Sequence, residues 1–143
     1  MRIKIDKNIK SSKSNWKFDK NVAKNFDSHV TKSVPFYNIS HDLCVSLSEF
    51  FLKDKSRCYD IGCSNGTLLN KIKSKNNGKK IDLIGIDNSK PMISIAKKKH
   101  KSIKFKHAHL ENVSFLKSDL ILSLYTIQFL KPKYRQTLPF PRR

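Results

Sequence analysis

The segment Tyr59-Asp60-Ile61-Gly62-Cys63-Ser64-Asn65-Gly66 constrains this chain more than any other. A short apolar run, Arg57–Ile61 (RCYDI), enters the glycines. Thr67–Ser74 leaves them, with Leu68, Leu69 and Ile72 at the spacing of one helix face. A glycine turn between a strand and a helix lets backbone approach a ligand closely, with the helix N-terminus behind it. Alone, such a turn is a weak signal, so its setting decides what it means.

That setting alternates. Ile81–Ile86 (IDLIGI) reads as a second strand ending at Asp87, and Asn76-Asn77-Gly78 before it is a turn. Ser89 can cap a helix running to Lys99, with Pro91 tolerable in its first turn. Ile103–Ala108 alternates as a third strand and Ser118–Tyr125 (SDLILSLY) reads as a fourth. Upstream, Val22, Phe26 and Val30 share a helix face until Ser33-Val34-Pro35 breaks it. Ser40 then reads as the cap of a helix with Leu43, Leu47, Phe50 and Phe51 on one side. Residues 1–20 read as a basic, flexible arm, and 21–143 as a single domain. The order β-α-β-α-β-β predicts an α/β fold with a mostly parallel, doubly wound sheet.

Asp87 lies 21 positions beyond Gly66. Rossmann-like sheets place there the carboxylate that accepts ribose hydroxyls, about 20 residues past the glycines. The pair points to an adenosyl ligand. The loop is not GxGxxG and Asp60 precedes it, which disfavours a pyrophosphate and suits a ligand bearing an ammonium group.

The pattern D-x-G-x-x-x-G with a second-strand acid resembles the class I S-adenosylmethionine (SAM)-dependent methyltransferase superfamily. Four stretches are similar to its carboxy-SAM synthase branch, which serves tRNA wobble-uridine modification. They are Ser33 to Tyr37, Tyr59 to Ser64, Ile86 to Met92, and Gln128 through Pro132 to Arg135. The resemblance runs collinearly from about Phe26 to Gln136. It implies that SAM is the cofactor, with Tyr37 reaching over it and Gly62, Cys63 and Ser64 lining its methionyl part. Asp87 would take the ribose, Asn88 and Met92 would flank the adenosine, and His109 and Leu110 would contact adenine. His109 stands where the family carries an acid, and Leu124 where it carries Asn. The resemblance also implies strands beyond the fourth, so the reading expects a C-terminally truncated fold with an exposed sheet edge open to self-association.

Charge supplies a competing reading. Lys and Arg number 30 against 11 Asp and Glu, a formal charge of +19. Only five of these are Arg, and the lysines are spread along the chain, whereas nucleic-acid footprints usually cluster Arg. The excess reads as compositional background that permits non-specific polyanion binding at low salt. No run suits a membrane span, a secretory signal, a zinc site or a disulfide framework, so the expected place is the cytoplasm. Cys63 reads as a small loop residue rather than a nucleophile, and Tyr125 as a core aromatic with a wet hydroxyl. The resemblance implies a transferase, either a methyltransferase or a carboxy-SAM synthase. The alternatives are a non-catalytic SAM-binding remnant and a basic nucleic-acid-binding module.

Overall fold

A computed structural model describes residues 26–135. The arm expected over 1–20, Val22, and the prolines near the C-terminus lie outside the described residues. In chain order the elements are α1 (Phe26–Ser33), α2 (Tyr37–Phe51), β1 (Arg57–Ile61), α3 (Thr67–Lys75), β2 (Asp82–Asp87), α4 (Lys90–Lys99), β3 (Lys104–His107), β4 (Leu120–Leu122) and α5 (Pro132–Arg135). Single 3-10 turns occupy Leu110–Asn112 and Ile127–Phe129.

The four strands form one sheet in the order β3-β2-β1-β4, every pairing parallel. Parallel neighbours require crossovers, and α3 and α4 supply them. Leu68, Leu69 and Ile72 of α3 and Ile93 and Ala96 of α4 bury against Cys58, Leu83 and Phe105 of the sheet. On the opposite face Tyr59 and Ile86 pack with Val113, Ile84, Ile121 and Phe115. Burial on both faces explains why the strands read as apolar runs. Arg57 ties the bottom of β1 to both neighbours. Its amide donates to Asp119 Oδ2 at 2.8 Å and its Nε to Asp82 Oδ2 at 3.0 Å.

Two local expectations are corrected. Ser89 does cap α4, accepting the Met92 amide at 3.4 Å, but Ser40 caps nothing. The helix begins at Tyr37 behind Phe36, whose backbone is left-handed (φ 59°). Ser40 therefore sits inside α2, and its hydroxyl meets Tyr125 instead. The second is β4, which pairs with β1 only over Leu120–Leu122, shorter than Ser118–Tyr125. Beyond it Tyr125 turns left-handed (φ 54°), which a straight strand cannot continue. On α2, Leu43, Leu47, Phe50 and Phe51 share a side as expected; that side is exposed, and His41, Cys44, Val45 and Ser48 face inward.

Candidate cofactor pocket

A cavity of about 740 Å3 opens at the C-terminal ends of β1 and β2, the crevice where open α/β sheets bind ligands. All ten residues singled out from the sequence line it: Tyr37, Asp60, Gly62, Cys63, Ser64, Asp87, Asn88, Met92, His109 and Leu110. Its volume lies within the usual range of small-molecule sites, about 300–1,000 Å3.

The glycine loop is a coil of left-handed residues, Gly62 (φ 74°), Ser64 (φ 50°) and Gly66 (φ 82°). At Gly62 a side chain would also run into Thr126, whose Oγ1 stands where a Cβ would need to go. Thr126 is locked there because its hydroxyl donates within reach of two carbonyls, Ile61 at 2.9 Å and Leu124 at 3.0 Å. The loop amides are held from within. Gly62 and Cys63 both donate to the Ile86 carbonyl, Gly66 donates to that of Cys63, and Ser64 donates to Asp87 Oδ2 at 2.9 Å. With those four donors satisfied by protein, the loop is no phosphate cradle. The structure thus gives a second reason, beyond the missing GxGxxG, for a ligand other than a pyrophosphate.

Charge inside the cavity opposes charge outside it. Among the described residues the lining carries three carboxylates, Asp60, Asp87 and Glu111, and neither Lys nor Arg, in a chain of net charge +19. Asp60 is only 3% exposed and lines the cavity. Burial, then repulsion from Asp87, raises its pKa to about 7. Asp87 is raised mainly by burial, against which the amides of Ser89 and Ser64 favour its charged form. Cys63 is buried, and that burial with the two aspartates holds its thiol well above the ordinary range. It stays protonated and serves as packing beside Gly85, in agreement with the loop-residue reading.

The floor and rim complete the site. Met92, 1% exposed, packs with Phe26 beneath the pocket. His109 is exposed at its edge and Leu110 is buried. Leu124 joins the core cluster that includes Cys63, so at this position apolar packing replaces the polar group that the resemblance calls for. The aromatic wall contains more than the sequence suggested. Tyr37 stacks on Tyr125 with ring centroids 5.8 Å apart and lies 4.3 Å from His41, which burial and the nearby Lys71 lower to about 4. Gln128 and Phe129 also line the cavity, from a 3-10 turn rather than from a helix. His41 and Thr126 carried no local signal, and Tyr125, read as a core aromatic, walls the cavity, because chain folding alone brings residues 41 and 125 to the same wall.

The fold and pocket have counterparts. The model of a methyltransferase domain matches residues 58–139, more than half of the chain. The chain belongs to the methyltransferase-domain family. Among curated proteins it is 36% identical over 127 residues to the carboxy-S-adenosyl-L-methionine synthase of Campylobacter lari, covering 86% of this chain and 53% of that one. With the enzyme of the same name from Sulfurimonas denitrificans it shares 38% over 134 residues, covering 90% and 56%. This methyltransferase domain therefore spans about half the length of the curated relatives it matches.

Solved structures agree on architecture. The plantazolicin methyltransferase BpumL, crystallised with SAH, superposes with a TM-score of 0.63 at 24% identity, covering 86% of this chain and 49% of that one. DesVI of Streptomyces venezuelae gives 0.63 at 17% identity, covering 82% and 49%. The overall fold is thus shared with these proteins. Among the described residues no helix is long and apolar enough to cross a membrane.

Proposed function

We propose that this domain binds SAM in the Asp60–Asp87 pocket and belongs functionally to the carboxy-SAM synthase branch of tRNA wobble-uridine modification. The observation that carries the proposal is Asp60. It is a nearly fully buried carboxyl in the lining of a cavity that, among the described residues, offers it neither Lys nor Arg, an arrangement that a ligand ammonium completes. The donor set fits the cofactor at its other end too. Asp87 offers ribose hydroxyls an acceptor, Asn88 and Met92 flank the nucleoside position, and Leu110 gives adenine an apolar contact. His109 and Gly62 to Ser64 complete the lining, and Tyr37 stands over it.

Bound SAM would supply an electrophilic carbon on a sulfonium. The charge on sulfur disappears during transfer, so positioning and exclusion of water matter more than acid–base groups. The residues here do that work: Tyr37 and Tyr125 wall the site, and Asp60 and Asp87 hold the two polar ends. The resemblance and the curated relatives support the carboxylating branch. Leu124 and the absence of Lys or Arg from the described lining favour a second reading, in which the domain binds SAM without carboxylating it. The cytoplasm is the proposed place of action. Non-specific polyanion binding is a proposed side property of the +19 charge.

Calorimetric titration with SAM and with its demethylated product tests the proposal. Saturable binding that weakens at least tenfold in Asp60→Asn supports it. A folded sample that takes up neither compound refutes it.

A further inference from the structure

Tyr125 joins three parts of the molecule that are distant in sequence. Its ring lies nearly parallel to that of Tyr37, at 26°. Its hydroxyl is 2.8 Å from Ser40 Oγ, one turn along α2 from Tyr37. Its neighbour Thr126 bonds the Ile61 carbonyl and closes on Gly62. The backbone of Tyr125 is left-handed, φ 54°, a conformation unfavourable for a bulky residue that persists only where its surroundings hold it. Here both sides hold it: the loop through Thr126, and α2 through Ser40. Ser40 lacks any capping task that would explain its hydroxyl, and the start of α2 has no side-chain cap at all.

We propose that Tyr125 is a positioning residue whose bond to Ser40 and stack on Tyr37 pin the start of α2 to the glycine loop, setting Tyr37 as a fixed wall over the bound cofactor. The inference rests on the cofactor reading above. Tyr37 is only half-buried and follows Phe36, itself left-handed and 73% exposed, so the entry to α2 has little packing of its own to fix it. The clip from the segment after β4 provides what the helix start lacks. With the wall pre-set, a ligand need not order it on binding, and affinity rises accordingly.

The test compares the full chain with Tyr125→Phe, Ser40→Ala, their double variant and Ser40→Thr, by calorimetric titration with SAM and by thermal melting. Tyr125→Phe and Ser40→Ala are each expected to weaken SAM binding about three- to tenfold, the worth of one net hydrogen bond. The double variant should lose no more than either single one, and Ser40→Thr should bind as the wild type does. Melting temperatures should fall by no more than a few degrees, since both rings stay in place. Wild-type affinity in Tyr125→Phe, or losses that multiply in the double variant, would overturn this inference alone. A wild-type chain that binds no SAM overturns the cofactor reading, and this inference with it.

Discussion

The amide of Ser64 donates to Oδ2 of Asp87 at 2.9 Å, so the acid at the end of β2 is also a strut of the glycine loop. Its Oδ1 accepts the Ser89 amide at 2.8 Å, at the start of α4. One carboxylate thus fixes the loop and the next helix while offering its remaining lone pairs to a ligand.

Asp87→Ala should therefore lose stability as well as affinity. Two backbone donors lose a charged acceptor, and a drop of about 2 kcal/mol or more is expected in urea unfolding. SAM affinity should fall at least tenfold. Asp87→Asn, which keeps one acceptor oxygen, should recover part of the stability and little of the affinity. Equal stability of wild type and Asp87→Ala would contradict the strut.

Asp60 and His41 should leave opposite marks on stability against pH. Asp60 titrates near 7 in the fold and near 3.8 when unfolded. Its contribution is complete below about pH 4 and is lost as pH rises to 7. His41 is lowered from 6.5 to about 4, so its contribution is complete above 6.5 and is lost as pH falls toward 4. Relative to wild type, Asp60→Asn should gain stability as pH rises from 4 to 7, and His41→Gln should gain it as pH falls from 6.5 to 4. Melting curves across this range read both differences. SAM binding should strengthen as pH rises through about 7, where Asp60 ionises, and this dependence should vanish in Asp60→Asn. A pH-independent affinity in the wild type would count against the ammonium contact.

The glycines separate conformational strain from steric exclusion. Gly78 has φ 89° with nothing within 4 Å of a would-be Cβ, so Gly78→Ala carries only the backbone penalty, about 1–2 kcal/mol. Gly62→Ala adds a collision with Thr126, and a loss of about 2–4 kcal/mol is expected. Comparable losses at both positions, measured by denaturant unfolding, would mean that Thr126 yields and is no fixed wall.

Much of this was legible in the residues. Strands β1 and β2 are buried on both faces and read as apolar runs. Helix α4 carries its cap in Ser89 and its proline in the first turn. The ten pocket residues converge because strand ends and the loops after them gather at one edge of a parallel sheet. The start of α2 was illegible for a physical reason. Its stop signal is a left-handed phenylalanine, and the serine that looks like a cap bonds a tyrosine 85 residues away. The orientation of α2 was illegible in another way. Leu43, Leu47 and Phe50 form a stronger stripe than Cys44, Val45 and Ser48, yet the weaker stripe faces the core. Periodicity identifies a face, not what lies opposite it.

The exposed stripe has a measurable consequence. Leu43 is 58% and Leu47 46% exposed, with Phe50 at 78% one turn further on. Apolar surface of this continuity on a helix favours association. Sedimentation equilibrium should show mass rising with protein concentration, and Leu43→Lys with Leu47→Lys should suppress it without lowering the melting temperature. A monomer at every concentration would remove self-association from the properties of this domain.

Arg57, whose backbone and side chain reach both neighbours of β1, marks an order of assembly. Its partner Asp82 is 25 residues away and its partner Asp119 is 62. Closing the longer loop costs about 0.8 kcal/mol more entropy, and long-range pairings of this kind slow folding. The β3-β2-β1 half is therefore expected to assemble first, with β4 zipping onto a finished edge. The clip at Tyr125 would then be among the last contacts to close in folding and among the first to open when the molecule breathes.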